Sequence, residues 1–216
     1  MVVYFTSAEG HTIYMGKDKF ENEDLIHYGF LEDIWFHVDD LSSAHVYLRL
    51  PLGQTTLDDV SATCLEECAQ LVKDNSIEGR KKKSVSVCYT RWRNLNKTAS
   101  MEVGQVGFKH PERVRHYKVM EKNMDVVKRL NRTKQELYPD LEEERQQREL
   151  LYKSERKKQR LHLETMERKE KQEYKQEKEL RSYSSLMMSR EKVDSNKKVE
   201  ASADLSSVKA YEEDFM

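Results

Sequence analysis

Long apolar runs and paired cysteines are both missing from this sequence of 216 residues. No stretch approaches the roughly 20 apolar residues that a membrane-spanning helix needs. The apolar start at Met1–Phe5 has neither the basic flank nor the cleavage site of a signal peptide. The three cysteines, Cys64, Cys68 and Cys88, are an odd number in a composition unlike that of a secreted disulfide scaffold. We expect an intracellular protein, in the cytoplasm or also in the nucleus, and peripheral membrane association stays open.

Patterns that carry catalysis are also scarce. Val103–Gly107 has the wrong spacing for a glycine-rich phosphate loop, and Ser42 and Ser43 lack the strand–turn–helix setting of a nucleophile elbow. Cys64 and Cys68 are four residues apart, a spacing that allows two metal ligands on one helix. The sequence has no second pair of cysteines or histidines with a matching spacing to complete the site. The sequence therefore predicts no metal, no cofactor and no enzymatic activity, with both cysteines buried on a helix.

Two histidines are the remaining candidates for chemistry. His37 and His45 lie either side of a short turn, with Asp33 and Asp39 nearby, so an acid–base pair or a metal site is one interpretation. No third ligand with a recognisable spacing accompanies them. The apolar surroundings at Ile34–Val38 favour the alternative, in which both histidines are hydrogen-bonded parts of the core.

Charge is what the sequence has in abundance, and it is unevenly distributed. Charged residues make up 36% of the chain and hydrophobic residues only 37%, so one part must be a packed core and another must be solvated. Residues 1–80 carry 5 Lys or Arg against 15 Asp or Glu, whereas residues 81–120 carry 10 against 2. A chain whose net charge is −1 therefore contains one concentrated basic block, residues 81–120.

Residues 1–120 have the pattern of an α+β domain, called the head below. A capping pattern at Thr56 and Asp59 precedes an apolar helical repeat that ends near residue 73, and a shorter helix is predicted between a cap at Asn22 and a stop at Gly29. The predicted strands are Val2–Thr6, Thr12–Met15, Ile34–Val38, His45–Leu50, Ser84–Thr90, Gln105–Phe108 and Val114–Val119. We predict a small mixed or antiparallel sheet with one or two helices packed on one face.

The composition changes at Glu121. Residues 121–183 contain no glycine and are dominated by Glu, Lys, Arg and Gln, which favours a long charged helix, interrupted at Tyr138–Pro139. Apolar residues there are too sparse for sustained heptads, so a free-standing helix is favoured and a coiled coil is the alternative. Residues 184–216 are Ser-rich and mixed in charge, and we expect a disordered tail. Protein partners are expected to bind through the helix and the tail.

The basic block is the strongest candidate for a binding site. Its lysines and arginines are interleaved with Tyr89, Trp92, Phe108 and Tyr117. Single-stranded nucleic acid is commonly held by cations that follow its backbone and by flat groups that stack on its bases. The residues that we predict to contact nucleic acid are Lys81, Lys82, Lys83, Arg91, Trp92, Arg93, Lys97, Arg113 and Arg115. The alternative is that the aromatic residues belong to the core and the cations to a solvated face.

The order of short motifs resembles a known domain family. Asp-Ile-Trp-Phe-His-Val at residues 33–38 is followed by Ser-Ala-His-Val-Tyr-Leu at 43–48 and by Gly-Gln-Val-Gly-Phe at 104–108. This order is similar to the NFACT-R domain of the NFACT ribosome-quality-control factors and of bacterial fibronectin-binding-protein-like relatives. The residues that match its characteristic motif are Trp35, Phe36, His37, Ser43 and His45. The family's usual glycine-serine-histidine turn reads Ser-Ala-His here, so no role of that glycine transfers.

The resemblance implies RNA binding near ribosomes or tRNA, without catalysis by this domain. Together with the basic block, it predicts a non-enzymatic nucleic-acid-binding adaptor whose ligand is RNA in preference to DNA. Two alternatives stay open: a protein-interaction scaffold without nucleic-acid binding, and a receptor-like DNA-binding protein at a membrane surface. Backbone contacts alone do not distinguish RNA from DNA.

Overall fold

A computed structural model describes residues 1–182 of the chain. It divides into two units, one spanning Met1–Lys153 and the other beginning at Ser154. The predicted tail at residues 184–216 lies outside the described residues. Every helix within residues 1–182 is too short or too polar to cross a lipid bilayer.

Seven antiparallel strands form the main sheet of the first unit. In chain order, the elements are β1 (Val2–Thr6), β2 (Thr12–Gly16), α1 (Lys19–Tyr28), β3 (Asp33–Val38), β4 (Val46–Arg49), α2 (Ala62–Asp74), β5 (Val85–Arg91), β6 (Leu95–Asn96), β7 (Gly107–Phe108), β8 (Arg115–Val119), α3 (Met124–Arg132), β9 (Gln135–Leu137) and α4 (Leu141–Arg181). The strand order across the sheet is β8-β5-β3-β4-β2-β1-β9, while β6 and β7 form a separate pair. The predicted α+β class is confirmed, and the sheet is antiparallel.

One face of the main sheet packs against α2 and α3. Alternation along β5 places Val85, Val87 and Tyr89 on this face, as their spacing predicts. Cys68 of α2 and Leu130 of α3 are fully buried in the same cluster. This is the larger of the two cores, and β5 lies over it between β8 and β3.

The opposite face of the sheet is covered as well, whereas the sequence predicts helices on one face only. Leu25 of α1 packs there with Tyr14, Trp35 and Tyr47, and the partly buried Leu141 at the start of α4 joins them. Because both faces are buried, these strands carry large apolar or aromatic side chains on both sides rather than a strict apolar–polar alternation.

Both helices of the head begin at residues other than the predicted ones. The cap of α1 is Asp18, whose carboxylate accepts two backbone N–H groups at 2.9 and 3.0 Å, and Asn22 is buried within the helix. Thr56 and Asp59 cap a single 3₁₀ turn instead, and α2 starts after Ser61, whose hydroxyl accepts an N–H of its first turn at 3.1 Å. Several capping residues lie close together at each start, so composition alone does not choose among them.

The residues just beyond 120 do not form one continuous helix. Leu130 of α3 is buried in the main core, and β9 pairs with β1, where Leu137 lies opposite Val2. Leu137 is half exposed at this sheet edge. The predicted long charged helix is confirmed as α4, which runs from Leu141 to Arg181 after the break at Tyr138–Pro139.

Candidate nucleic-acid interface

Strand β5 separates the predicted nucleic-acid contacts into two groups. Lys81–Lys83 precede the strand, Arg91 ends it and Arg93 follows it. A strand of seven residues spans about 20 Å at roughly 3.3 Å per residue. The lysines and the arginines therefore lie at opposite ends of β5, although they are close neighbours in the sequence.

The arginines meet in a cleft of about 750 Å³ at the end of β5. Its lining includes Arg91, Arg93, Arg113 and Arg115, together with Lys109; we call it the arginine cleft. Because β5 and β8 are antiparallel, the end of one strand lies beside the start of the other, which brings the two arginine pairs together. Four of the nine predicted contacts converge here, and Lys109 joins them from the same basic block.

Asn94 holds the cleft in shape. Its side-chain nitrogen donates to the hydroxyl of Thr90 at 3.0 Å and to the carbonyl of His110 at 2.9 Å, and its side-chain oxygen accepts the N–H of His110 at 2.9 Å. Its own carbonyl accepts the N–H of Lys109 at 2.8 Å. These bonds tie the turn after β5 to the loop that carries Lys109. No local sequence signal marks Asn94, because its partners lie up to 16 residues away.

Acidic groups neutralise the arginine cleft only in part. Arg115 pairs with Asp58 beside the cleft at 2.8 Å, and Glu112 lies 3.2 Å from His110. The hydrogen bond and charge of Asp58 raise the pKa of Arg115. The exposed cations of the lining that remain are Arg93, Lys109 and Arg113. The cleft therefore keeps an excess of positive charge that faces solvent.

The lysine run, Lys81–Lys83, is anchored by its backbone while its side chains face solvent. The carbonyl of Lys83 accepts a hydrogen bond from the buried Lys73 ammonium at 2.7 Å. The side chain of Lys83 is 84% exposed and lies 3.7 Å from Glu121. Burial lowers the pKa of Lys73, whereas the exposed lysines remain accessible to a ligand.

Trp92 and Lys97 are held against α1 by contacts within the first unit. The indole N–H of Trp92 donates to a carbonyl of α1 at 2.8 Å, and the guanidinium of Arg145 lies 4.9 Å from its ring centre. A Cβ at Gly29 would overlap the indole nitrogen of Trp92, so only glycine allows this approach. Lys97 pairs with Glu23 at 2.8 Å. These contacts engage both side chains in the fold.

The tryptophan and the two histidines of the family motif pack together as one group of rings. Trp35 donates its indole N–H to His45 Nδ1 at 2.9 Å, and its ring is parallel to that of His37, with 5.5 Å between centroids. Burial lowers the pKa of His45 to about 3 and also lowers that of His37. This geometry supports hydrogen-bonded structural histidines over an acid–base pair.

The other two motif residues also stabilise the fold. Phe36 lies on the α2 face of the sheet and stacks on Tyr89 at 5.5 Å. Ser43 accepts the N–H of Val38 at 3.0 Å and donates to the carbonyl of Ala44 at 3.2 Å, which closes the turn between β3 and β4. The motif therefore describes how this sheet is built, while the exposed cations lie elsewhere.

A protein-family model described as the NFACT protein RNA binding domain matches residues 1–110. The chain belongs to the NFACT-R family. The resemblance inferred from the motif residues is thereby confirmed. The matched range includes the lysine run and most of the arginine cleft, but ends before Arg113 and Arg115.

Relatives of this NFACT-R chain cover most of its length. Coiled-coil domain-containing protein 25 from Bos taurus is 52% identical over 194 residues, which are 87% of this chain and 91% of the relative. The protein of the same name from Danio rerio is 57% identical over 152 residues, 69% of this chain and 73% of the relative. Among solved structures, the C-terminal part of the fibronectin/fibrinogen-binding protein from Streptococcus suis has a TM-score of 0.49 and 22% identity, covering 59% of this chain and 48% of that one.

Proposed function

We propose that this protein binds single-stranded RNA in the arginine cleft. The observation that carries the proposal is the convergence of five cationic side chains, four of them arginine, in one cleft of a domain whose family is described as RNA binding. Guanidinium groups bond phosphate oxygens in pairs and also stack on unpaired bases. The cleft therefore offers charge and flat surfaces to the same segment of a strand.

The lysine run supplies a second contact at the other end of β5. Its three lysine side chains are exposed, and each carries its charge on a flexible stem, so they attract phosphate by charge and release counterions without fixing a geometry. A separation of about 20 Å along β5 allows both groups to contact different phosphates of one strand. The arginine cleft orients the RNA, and the lysine run adds affinity that depends on salt.

We infer a non-enzymatic adaptor that works near ribosomes or tRNA. The two histidines that offered acid–base chemistry are engaged with Trp35, which supports binding over catalysis. Apolar residues on α4 are exposed to solvent, including Leu150, Leu161, Leu163 and Met166. These residues supply the contacts for a protein partner, while the head binds RNA.

The test is a salt titration of RNA affinity with charge-reversed protein. Fluorescence anisotropy of a labelled, unstructured RNA would be measured with the full chain and with the double variant Arg93→Glu/Arg113→Glu. Each phosphate contact to a single strand contributes about 0.7 to the slope of log affinity against log salt, so losing two contacts should flatten the slope by about 1.4. Affinity at low salt should fall as well.

A charge-matched control keeps the net charge change the same. The variant Lys169→Glu/Lys175→Glu reverses two exposed lysines of α4 in the second unit, and it should leave both slope and affinity unchanged. Reversing all three residues of the lysine run should flatten the slope independently. A cleft variant with the wild-type slope would remove the arginine cleft from the binding site.

RNA and DNA oligonucleotides of the same sequence test which nucleic acid the protein prefers. DNA of the same sequence should bind more weakly than RNA. Equal affinity would indicate a contact to the backbone that does not recognise the 2′-hydroxyl. No affinity for either oligonucleotide at low salt, together with recovery in a protein complex after nuclease treatment, would favour the scaffold alternative.

A further inference from the structure

Three potential metal ligands from distant parts of the chain meet at the edge of the first unit. Glu9 and His11 lie in the turn between β1 and β2, and Cys64 lies in the first turn of α2. Glu9 Oε2 is 3.5 Å from the sulfur of Cys64 and 3.7 Å from His11 Nε2. All three ligand atoms lie within 4.8 Å of one another. A carboxylate, an imidazole and a thiol therefore lie close together on the protein.

Two of the three separations between these atoms are close to those of a tetrahedral zinc site. Zinc binds sulfur at about 2.3 Å and nitrogen or oxygen at about 2.0 to 2.2 Å, so tetrahedral geometry separates neighbouring ligand atoms by about 3.4 to 3.6 Å. The distances from Glu9 Oε2 to the Cys64 sulfur, 3.5 Å, and to His11 Nε2, 3.7 Å, lie in or close to this range.

The turn that carries two of the ligands is held in place. Ser7 accepts the backbone N–H of His11 through its hydroxyl at 2.8 Å, and its own N–H donates to the carbonyl of His11 at 2.9 Å. Gly10 adopts a φ of 84°, which glycine tolerates and other residues rarely do. Glu67 of α2 accepts the N–H of Ala8 at 3.0 Å, which ties the turn to the helix.

Glu9 has a partner that orients it toward the other ligands. The hydroxyl of Ser61, the cap of α2, donates to Glu9 Oε1 at 2.6 Å and leaves Oε2 facing Cys64 and His11. An outer hydrogen bond that fixes a ligating carboxylate is a regular feature of protein metal sites.

We propose that Glu9, His11 and Cys64 bind a zinc ion, with water as the fourth ligand. A zinc-class cation suits this set because it accepts sulfur, imidazole and carboxylate together, whereas magnesium and calcium require oxygen ligands. On binding, a zinc–sulfur bond forms and the thiol proton passes to solvent. The ion links the turn between β1 and β2 to the start of α2. The fourth position lies on the solvent side, since Cys64 is 1% exposed while Glu9 is exposed.

Cobalt provides a direct test, since it replaces zinc and reports the ligands through its absorption. The purified full chain, first stripped of metal with a chelator, should bind one Co²⁺ with a sulfur-to-cobalt charge-transfer band, and Zn²⁺ should displace it. The band should disappear in Cys64→Ser. His11→Gln should retain a weaker band, and its zinc affinity should fall at least about tenfold.

Two controls separate this site from adventitious binding. Cys68→Ala removes the neighbouring cysteine of α2, which is buried in the core, and His27→Gln removes an exposed histidine of α1. Both variants should keep the band and the affinity. Wild-type protein without a charge-transfer band, a band that survives in Cys64→Ser, or equal losses in the control variants would overturn the proposal. Because His11 lies in a surface turn, its variant should fold even if Cys64→Ser does not.

Discussion

Protonation of His45 should destabilise this protein, and the geometry shows why. Its Nδ1 accepts the indole N–H of Trp35 at 2.9 Å, so the nitrogen that would take the second proton already serves as an acceptor. The ring is only 8% exposed and lies 4.7 Å from that of His37. Burial, and then the charge of His37, lower the pKa of His45 from 6.5 to about 3.

The sign and size of the effect follow from that shift. Because the folded-state pKa is depressed, the unfolded chain takes up the proton first as the pH falls, so stability is lost from about pH 6.5 downward. One proton changes the free energy of unfolding by about 1.4 kcal/mol per pH unit in that window. Between pH 7 and pH 5, His45 alone should therefore remove about 2 kcal/mol.

Urea unfolding of wild type and His45→Gln at several pH values isolates this contribution. Glutamine cannot be protonated in this range, so the stability difference between the two proteins should shrink by about 2 kcal/mol from pH 7 to pH 5. Titrating groups that do not contact His45 cancel in the difference. NMR of the wild-type imidazole should show that His45 stays neutral at pH 5.

A matched change at an exposed histidine provides the control. His162→Gln on α4 should show a stability difference from wild type that does not vary with pH. An imidazole of His45 that titrates near its ordinary value would refute the reasoning, and so would a difference between wild type and His45→Gln that is constant from pH 7 to pH 5.

Three further changes test the packing of the first unit. Arg49→Met should lower the free energy of unfolding in urea by about 3 to 5 kcal/mol, because the fully buried Asp33 carboxylate loses the cation that lies 3.0 Å away. Recovery of stability in the double variant Arg49→Met/Asp33→Asn would confirm this cause. Leu130→Ala should cost about 2 to 5 kcal/mol if α3 belongs to the main core, whereas the exposed Leu161→Ala should change stability by less than about 0.5 kcal/mol. Glu32→Gln should speed hydrogen exchange in the first three turns of α4 but not in β3, because buried Glu32 is the acceptor for α4 side chains.

Most strands of the head were predictable because their signal is local. Val85, Val87 and Tyr89 alternate along β5, and the hairpin of β1 and β2 surrounds a turn marked by Gly10. By contrast, β9 consists of three exposed residues with no apolar alternation. It forms because β1 offers an unpaired edge more than 100 residues earlier in the chain. No window of sequence contains both partners.

The excess of basic residues at the site was predictable from the sequence, but the positions of these residues in the fold were not. The excess of Lys and Arg in residues 81–120 identifies the basic block without any structure. Its division into the arginine cleft and the lysine run depends on β5, which carries Arg91 away from Lys83. The same interleaved pattern places Trp92 against α1, where it stabilises the fold.

The sequence by itself determined most strands, the long charged helix, the basic block and the family, because periodicity, charge and motif order are properties of contiguous residues. Only the tertiary structure decided which side chains meet. Arg91 and Arg115 share a cleft because β5 and β8 pair in antiparallel register. Likewise, Glu9 reaches Cys64 because the first hairpin packs against the start of α2. Such contacts join segments that are far apart in the sequence. They form because burial of the whole core favours one arrangement of those segments.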